Sequence, residues 1–368
     1  MGATEALAEP GAGGTIGAPI GAPIRKPASH RRHRLRRYLL KRAAFLVPQV
    51  LGITFVTFIL IRLLPGNPAY LIAGPSASAE TIARINKNLG LDRPLLVQFW
   101  IYVKGLATGD LGQSFRSGHT VAYDVLHRLP ATLELIFPSL AIGLLLGIGF
   151  GVYSGFHENS RVDRVLSVYA RLAGSMPEFW LGLLLIYLFY FRLSVAPPPL
   201  GRVGIEVSPP RSITNSYVLD SLLTGNWSAL ASALAHLVLP VATFSLVSIA
   251  PFMKMTRAAV IEVRSSDYIR QAAAMGLPRR AIVRTALSNA LPPVVTLAGF
   301  LCSYLIGGAV LIETVFGWGG MGQYAVQAII NSDYVAIQGF VLVSALFSLL
   351  VYVTVDLVYI GLDPRIEY

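Results

Sequence analysis

The sequence predicts an all-α integral membrane protein with six transmembrane helices, on three observations. Of 368 residues, 54% are hydrophobic and only 13% charged, and the mean hydropathy is +0.61, which is more apolar sequence than one soluble core uses. The apolar residues gather into windows at 43–64, 131–155, 165–193, 235–258, 290–313 and 336–360. Each is long enough for a bilayer core of roughly 30 Å, which takes about 20 residues of helix. None alternates with the period of two that a β-barrel strand requires.

Residues 1–37 read as a disordered cytoplasmic tail, because the first thirty are rich in Gly, Ala and Pro and carry the short repeat Ile16-Gly17-Ala18-Pro19-Ile20-Gly21-Ala22-Pro23-Ile24. The first transmembrane helix, 38–64, is a retained anchor: its apolar run is long for a signal peptide and no Ala-x-Ala site follows it. Residues 65–130 form an external loop region with an amphipathic helix near 79–90. The remaining 131–368 is a core of five transmembrane helices with a basic cytoplasmic loop at 259–289.

Span two carries Ser139, Gly143, Gly147, Gly151 and Gly155, a small residue every four positions. Such a stripe lets a second helix approach closely in lipid. Span three is broken by Gly174-Ser175-Met176-Pro177, read as a packing kink in preference to part of a pathway, since Gly and Pro are ordinary in membrane helices. Residues 194–234 read as irregular. Phe316-Gly317-Trp318-Gly319-Gly320-Met321-Gly322 reads as an interfacial turn with a Trp anchor, or else as a contact for a soluble partner.

Orientation follows from Lys and Arg near the span ends. Arg31, Arg32, Arg34, Arg36, Arg37, Lys41 and Arg42 precede the first span, and Lys254, Arg257, Arg264, Arg270, Arg279, Arg280 and Arg284 surround the loop between spans four and five. Residues 314–335 have no Lys or Arg. Both termini are therefore expected in the cytoplasm of a bacterial inner membrane. The net charge of +11 is accounted for by this topology and by anionic lipid, so nucleic acid is not an expected partner.

The basic loop is the most informative segment. Gln271 to Met275 favour helix, Gly276 suits the left-handed residue that ends one, and Pro278 suits the first turn of another. Two short helices are expected, the second over Arg279 to Asn289. No catalytic, metal or cofactor site emerges. No P-loop is present, the six histidines lack metal-ligand spacing, and the single Cys302 lies in span five as a small buried hydrophobe. Ionisable residues in the spans, Arg62, Glu134, Arg171, Arg192, Glu313 and Asp356, lie within about two turns of a boundary. That speaks against an ion- or proton-coupled secondary transporter, the alternative reading.

Several blocks resemble the permease subunits of bacterial ATP-binding-cassette importers, in the dipeptide and oligopeptide branch that also includes nickel importers. They are Pro65-Gly66-Asn67-Pro68-Ala69, with Asn67 where that branch has an acid, Gly109-Asp110-Leu111-Gly112-Gln113-Ser114, Arg128-Leu129-Pro130-Ala131-Thr132-Leu133-Glu134-Leu135, Pro177-Glu178-Phe179-Trp180-Leu181-Gly182, Gly307-Gly308-Ala309-Val310-Leu311-Ile312-Glu313-Thr314-Val315-Phe316 and Leu362-Asp363-Pro364-Arg365. The resemblance implies the type I importer permease fold and import of di- or oligopeptides. It implies a homologous permease subunit, two ATP-binding cassette ATPase subunits that bind ATP and Mg, and an external solute-binding protein as partners. It also implies that a loop helix docks on the ATPase, assigning that role to Asp267, Tyr268, Arg270, Gln271, Ala272, Ala273, Gly276 and Leu277. Arg270 stands where the general family motif has Glu, so a contact made by that glutamate does not carry over. Ser303 and Tyr304 of span five are the expected pathway residues.

Overall fold

The computed structural model describes residues 28–63, 69, 77–88 and 90–362. The Pro65 to Ala69 block except for Ala69, the tail before residue 28 and the block after Leu362 lie outside them. The elements are helices α1 (Ala28–Leu63), α2 (Ala79–Asn88), α3 (Leu95–Ala107), α4 (Val121–Phe156), α5 (Arg161–Ala173), α6 (Glu178–Leu185), α7 (Tyr217–Thr224), α8 (Trp227–Ser265), α9 (Asp267–Ala274), α10 (Arg279–Val315), α11 (Met321–Ile330) and α12 (Tyr334–Leu362). A π-helical turn, Ile186–Arg192, continues α6.

Helices α4, α8, α10 and α12 are each long and apolar enough to cross a membrane. A fifth crossing is available if α5 and α6 with its π turn count as one broken span, bent by 107°. In α1 the apolar stretch Ala44–Leu60 is shorter than these. The break expected in span three at Gly174 to Pro177 is present, as a sharp corner. Proline supplies no backbone donor, and Pro177 takes an extended conformation (φ −62°, ψ 134°) that starts α6 in a new direction.

The expected glycine stripe is the centre of the fold. A Cβ built on Gly143 would stand 2.7 Å from Ser248 Cβ, on Gly147 2.4 Å from Phe252 Cβ, on Gly151 2.5 Å from Thr256 Cβ and on Gly155 2.7 Å from Val260 Cγ1. Each four-residue step on α4 meets a four-residue step on α8, so the ridges interlock along their length. Both numberings rise together, so α4 and α8 run parallel. The chain between them must return across the bundle, and the broken span α5–α6 supplies that return.

Three expectations are corrected. α10 runs unbroken from Arg279 through Pro292 and Pro293 to Val315, so the second short helix of the loop is the first part of a span. Neighbouring helices in a bundle compensate the donors that proline removes. Residues 194–234 contain α7 and the start of α8 rather than irregular chain alone; Ser216 and Asn226 cap them by accepting from the N–H groups of Leu219 and Ala229. Phe316 and Trp318 are each 2% exposed, and the Trp318 indole donates to the Ala131 carbonyl at 2.9 Å. That turn is a plug in the core rather than an interfacial anchor: both rings fold inward, Trp318 onto α4 and Phe316 towards Gly182 of α6.

Candidate functional site: the loop helix and the open face of α10

The α8–α10 connection lies at the bundle end where α4 finishes. Arg264 Nη1 donates to the Gly155 carbonyl at 3.1 Å, and Arg279 Nη2 meets His157 Nε2 at 3.1 Å. Arg257 is held by a two-pronged bond to Asp163 of α5, at 2.9 and 3.1 Å, so α5 and α8 are clamped together just above the loop.

Within the loop, α9 is anchored by one side chain, Ile269, which is 4% exposed. Its opposite side is bare. Tyr268 is 48%, Met275 67% and Leu277 41% exposed; Asp267, Arg270, Gln271 and Ala273 are exposed as well, and Ala272 is half-buried. The one ion pair there, Arg270 to Asp267 at 3.6 Å, is between exposed groups and adds little. Gly276 takes φ +76°, Gly276 N–H donates to Ala273 O at 3.0 Å, and Leu277 N–H donates to Ala272 O at 3.1 Å. This is the paired 5→2 and 6→1 closure of a Schellman cap. The expected glycine corner is present, and it fixes where Leu277 projects.

The two expected pathway residues fall on one face of α10. Phe300, Tyr304 and Leu311 are 53%, 52% and 51% exposed, Gly307 has nothing within 4 Å of a Cβ built on it, and the positions recur with helical spacing. The rings of Phe300 and Tyr304 stack at 6.3 Å. Ser303 is half-buried with no hydrogen-bond partner for Oγ. Glu178 was not among the acids expected in the spans, although it falls at the middle of the 165–193 window. Its carboxylate lies against Gly308 of α10. The usable signal was an acid directly after the Gly174 to Pro177 break.

The other end of the bundle is held by buried polar bonds. α11 begins at Gly320, which has no side chain to cap it. Thr132 of α4 accepts the Met321 N–H at 2.8 Å, Glu313 accepts the Gln323 N–H at 2.9 Å, and Thr132 donates to Glu313 at 2.5 Å. An acid at a helix N-terminus is stabilised there. Glu134 accepts from Ser216 Oγ and the Val218 N–H, and Arg202, seated 3.5 Å from the centroid of the Tyr217 ring, pairs with it at 3.8 Å. Among the described residues no group of three or more His, Cys, Asp or Glu side chains is placed to hold a metal.

Membrane-length helices locked by a glycine seam, an open face along one of them and a bare, capped helix at one end define a polytopic membrane subunit of a larger assembly. Residues 147–368 match the family described as binding-protein-dependent transport system inner membrane component, and residues 35–136 match its N-terminal counterpart. The chain belongs to this family: it is the permease subunit of an ATP-binding-cassette importer, with the all-α type I importer permease fold. Family membership removes the secondary-transporter alternative.

Similar proteins include the probable D,D-dipeptide transport system permease protein DdpB of Escherichia coli, 44% identical over 89% of this chain and 96% of its own. The dipeptide transport system permease protein DppB of Alkalihalophilus pseudofirmus is 39% identical over 90% and 99%. The di/tripeptide transport system permease protein DppB of Pseudomonas aeruginosa is 36% identical over 90% and 98%.

Proposed function

We propose that the chain forms half of the pathway of a peptide importer, paired with a second permease, fed by an external binding protein and driven by two ATPase subunits that bind ATP and Mg. The loop end faces the cytoplasm, together with both termini, and α9 is the docking element for an ATPase. The peptide class rests on the relatives named for dipeptide and di/tripeptide transport. The observation that carries the coupling role is the bare face of α9, anchored by Ile269 and closed by the Gly276 cap.

A short rigid helix transmits motion between subunits as a body only if its ends are fixed. ATP then shifts the bundle between outward-open and inward-open states by its differential affinity for them. Gly276→Pro removes the N–H that bonds Ala273 and demands a φ near −65° where the chain has +76°. We expect this variant to keep its folded bundle, to lose uptake by the reconstituted complex and to lose the rise in ATP hydrolysis on adding loaded binding protein. Normal uptake by an assembled Gly276→Pro complex would overturn the coupling role of this loop.

A further inference from the structure

Glu134, Glu313 and Asp333 all accept hydrogen bonds that tie separate parts of the chain together. Glu178 does not: its Oε1 is buried and has no hydrogen-bond partner. The fold holds it in place from two sides. Pro177 turns the chain through the corner into α6, so the acid sits in the first turn of that helix. Across from it α10 presents glycine: a Cβ at Gly308 would stand 2.4 Å from Glu178 Oε2 and 3.3 Å from Phe244 Cε1. The carboxylate thus fills the space that any larger residue at 308 would take.

Beside that carboxylate lies the open face of α10. Tyr304, one turn before Gly308, is 52% exposed and lies on the same side of α10 as Gly308, four residues on. Gly307 leaves open space next to Gly308. An ionisable group within a membrane-spanning bundle is expensive unless it meets an opposite charge, and aromatic faces attract ammonium groups. Two adjacent glycines keep the helix face clear beside the carboxylate, so the complementary cation can be a ligand in transit.

We propose that Glu178, with Tyr304 beside it, is a subsite for the α-ammonium group of a peptide crossing the bundle. This deepens the peptide-import reading and rests on it. The occupant is a primary ammonium on a small backbone; an arginine or lysine from the second permease is the rival that the test separates.

The complete complex is reconstituted in liposomes with its binding protein, and uptake of alanyl-phenylalanine is compared with that of propionyl-phenylalanine, which lacks only the amino group. Both are supplied at concentrations that saturate the binding protein, so its own preference is common to every variant and cancels in the comparison. Glu178→Gln is expected to lower the ratio of the two uptake rates about tenfold, equivalent to about 1.4 kcal/mol, and Glu178→Asp to restore part of it. Gly308→Ala, which crowds the carboxylate without removing it, is expected to lower the ratio as well and serves if Glu178→Gln fails to assemble. An unchanged ratio overturns the subsite, even where total uptake falls, and assigns Glu178 to packing or to a pair with the second permease. If the wild-type complex takes up neither probe, the peptide reading fails and the subsite with it.

Discussion

The two ends of the bundle solve opposite problems. At the end that carries α11, acids accept backbone N–H groups: Glu313 from Gln323, Glu134 from Val218, and Asp333 from Ala336 at the start of α12. At the other end α9 has a single buried residue, Ile269, and leaves Tyr268, Met275 and Leu277 in the open. The first end pairs these acids with donors of its own chain. Both ends leave apolar side chains exposed, Ile329 and Ile330 of α11 among them, but α11 buries five of its residues in its own chain and α9 one; apolar surface so loosely attached is retained where something else covers it. Substitutions at the first end should therefore act on the stability of the chain, and those at the second on its assembly.

The largest effect should come from Glu313→Leu. Glu313 has no exposed surface, and its loss strands the Gln323 N–H and the Thr132 hydroxyl proton that it accepts. Leaving buried donors unpaired costs about 1–3 kcal/mol each, so we expect a loss of roughly 3 kcal/mol or more and a lower midpoint in thermal unfolding in detergent. Gly320 sharpens the point, because a Cβ there would stand 2.4 Å from Glu313 Oε1. A Glu313→Leu chain that unfolds at the wild-type midpoint would mean that α11 is held by packing alone.

Much of this contrast was legible in the sequence, and two of the exceptions share a cause. The Ser139 to Gly155 stripe was readable because four-residue spacing is a local property and survives in any helix. The Gly276 corner was readable because a left-handed residue at a helix end needs no knowledge of the rest of the fold. Trp318 was misread because its place was set by Ala131, distant in sequence. Glu178 was missed because its neighbour is Gly308, on another helix and distant in sequence. The continuous α10 was divided at Asn289 because its polarity changes there, from a basic stretch to an apolar one, and a change of polarity does not end a helix.

An intermediate effect is expected at Asp220, outside the spans. Burial alone would raise its pKa, but bonds from the Thr214 N–H and hydroxyl and from the Ile213 and Asn215 N–H groups outweigh that and hold it below the usual aspartate range. A folded-state pKa that is depressed stabilises the fold above the unfolded value, about 3.9. That contribution is lost as pH falls through the lower folded value. Asp220→Asn turns an acceptor into a donor facing donors and should cost about 2 kcal/mol at pH 7. Its stability gap to wild type should narrow as the pH is taken below 4; a gap constant with pH would assign the loop's stability to shape rather than charge.

The smallest effect on the isolated chain should be that of Tyr268→Ala. Tyr268 is half exposed and shares α9 with the anchoring Ile269, so removing its ring leaves the buried anchor and the Gly276 cap untouched. Exposed substitutions of this kind stay within about 0.5 kcal/mol. In the assembled importer the same ring belongs to a face that an ATPase would cover, where aromatic anchors commonly cost 2 kcal/mol or more when truncated. Unfolding of the chain in detergent and retention of the ATPase on an affinity column should therefore separate cleanly, the first unchanged and the second reduced. A Tyr268→Ala chain that unfolds early yet keeps its ATPase would reverse the contrast between the ends and make α9 a structural element of its own subunit.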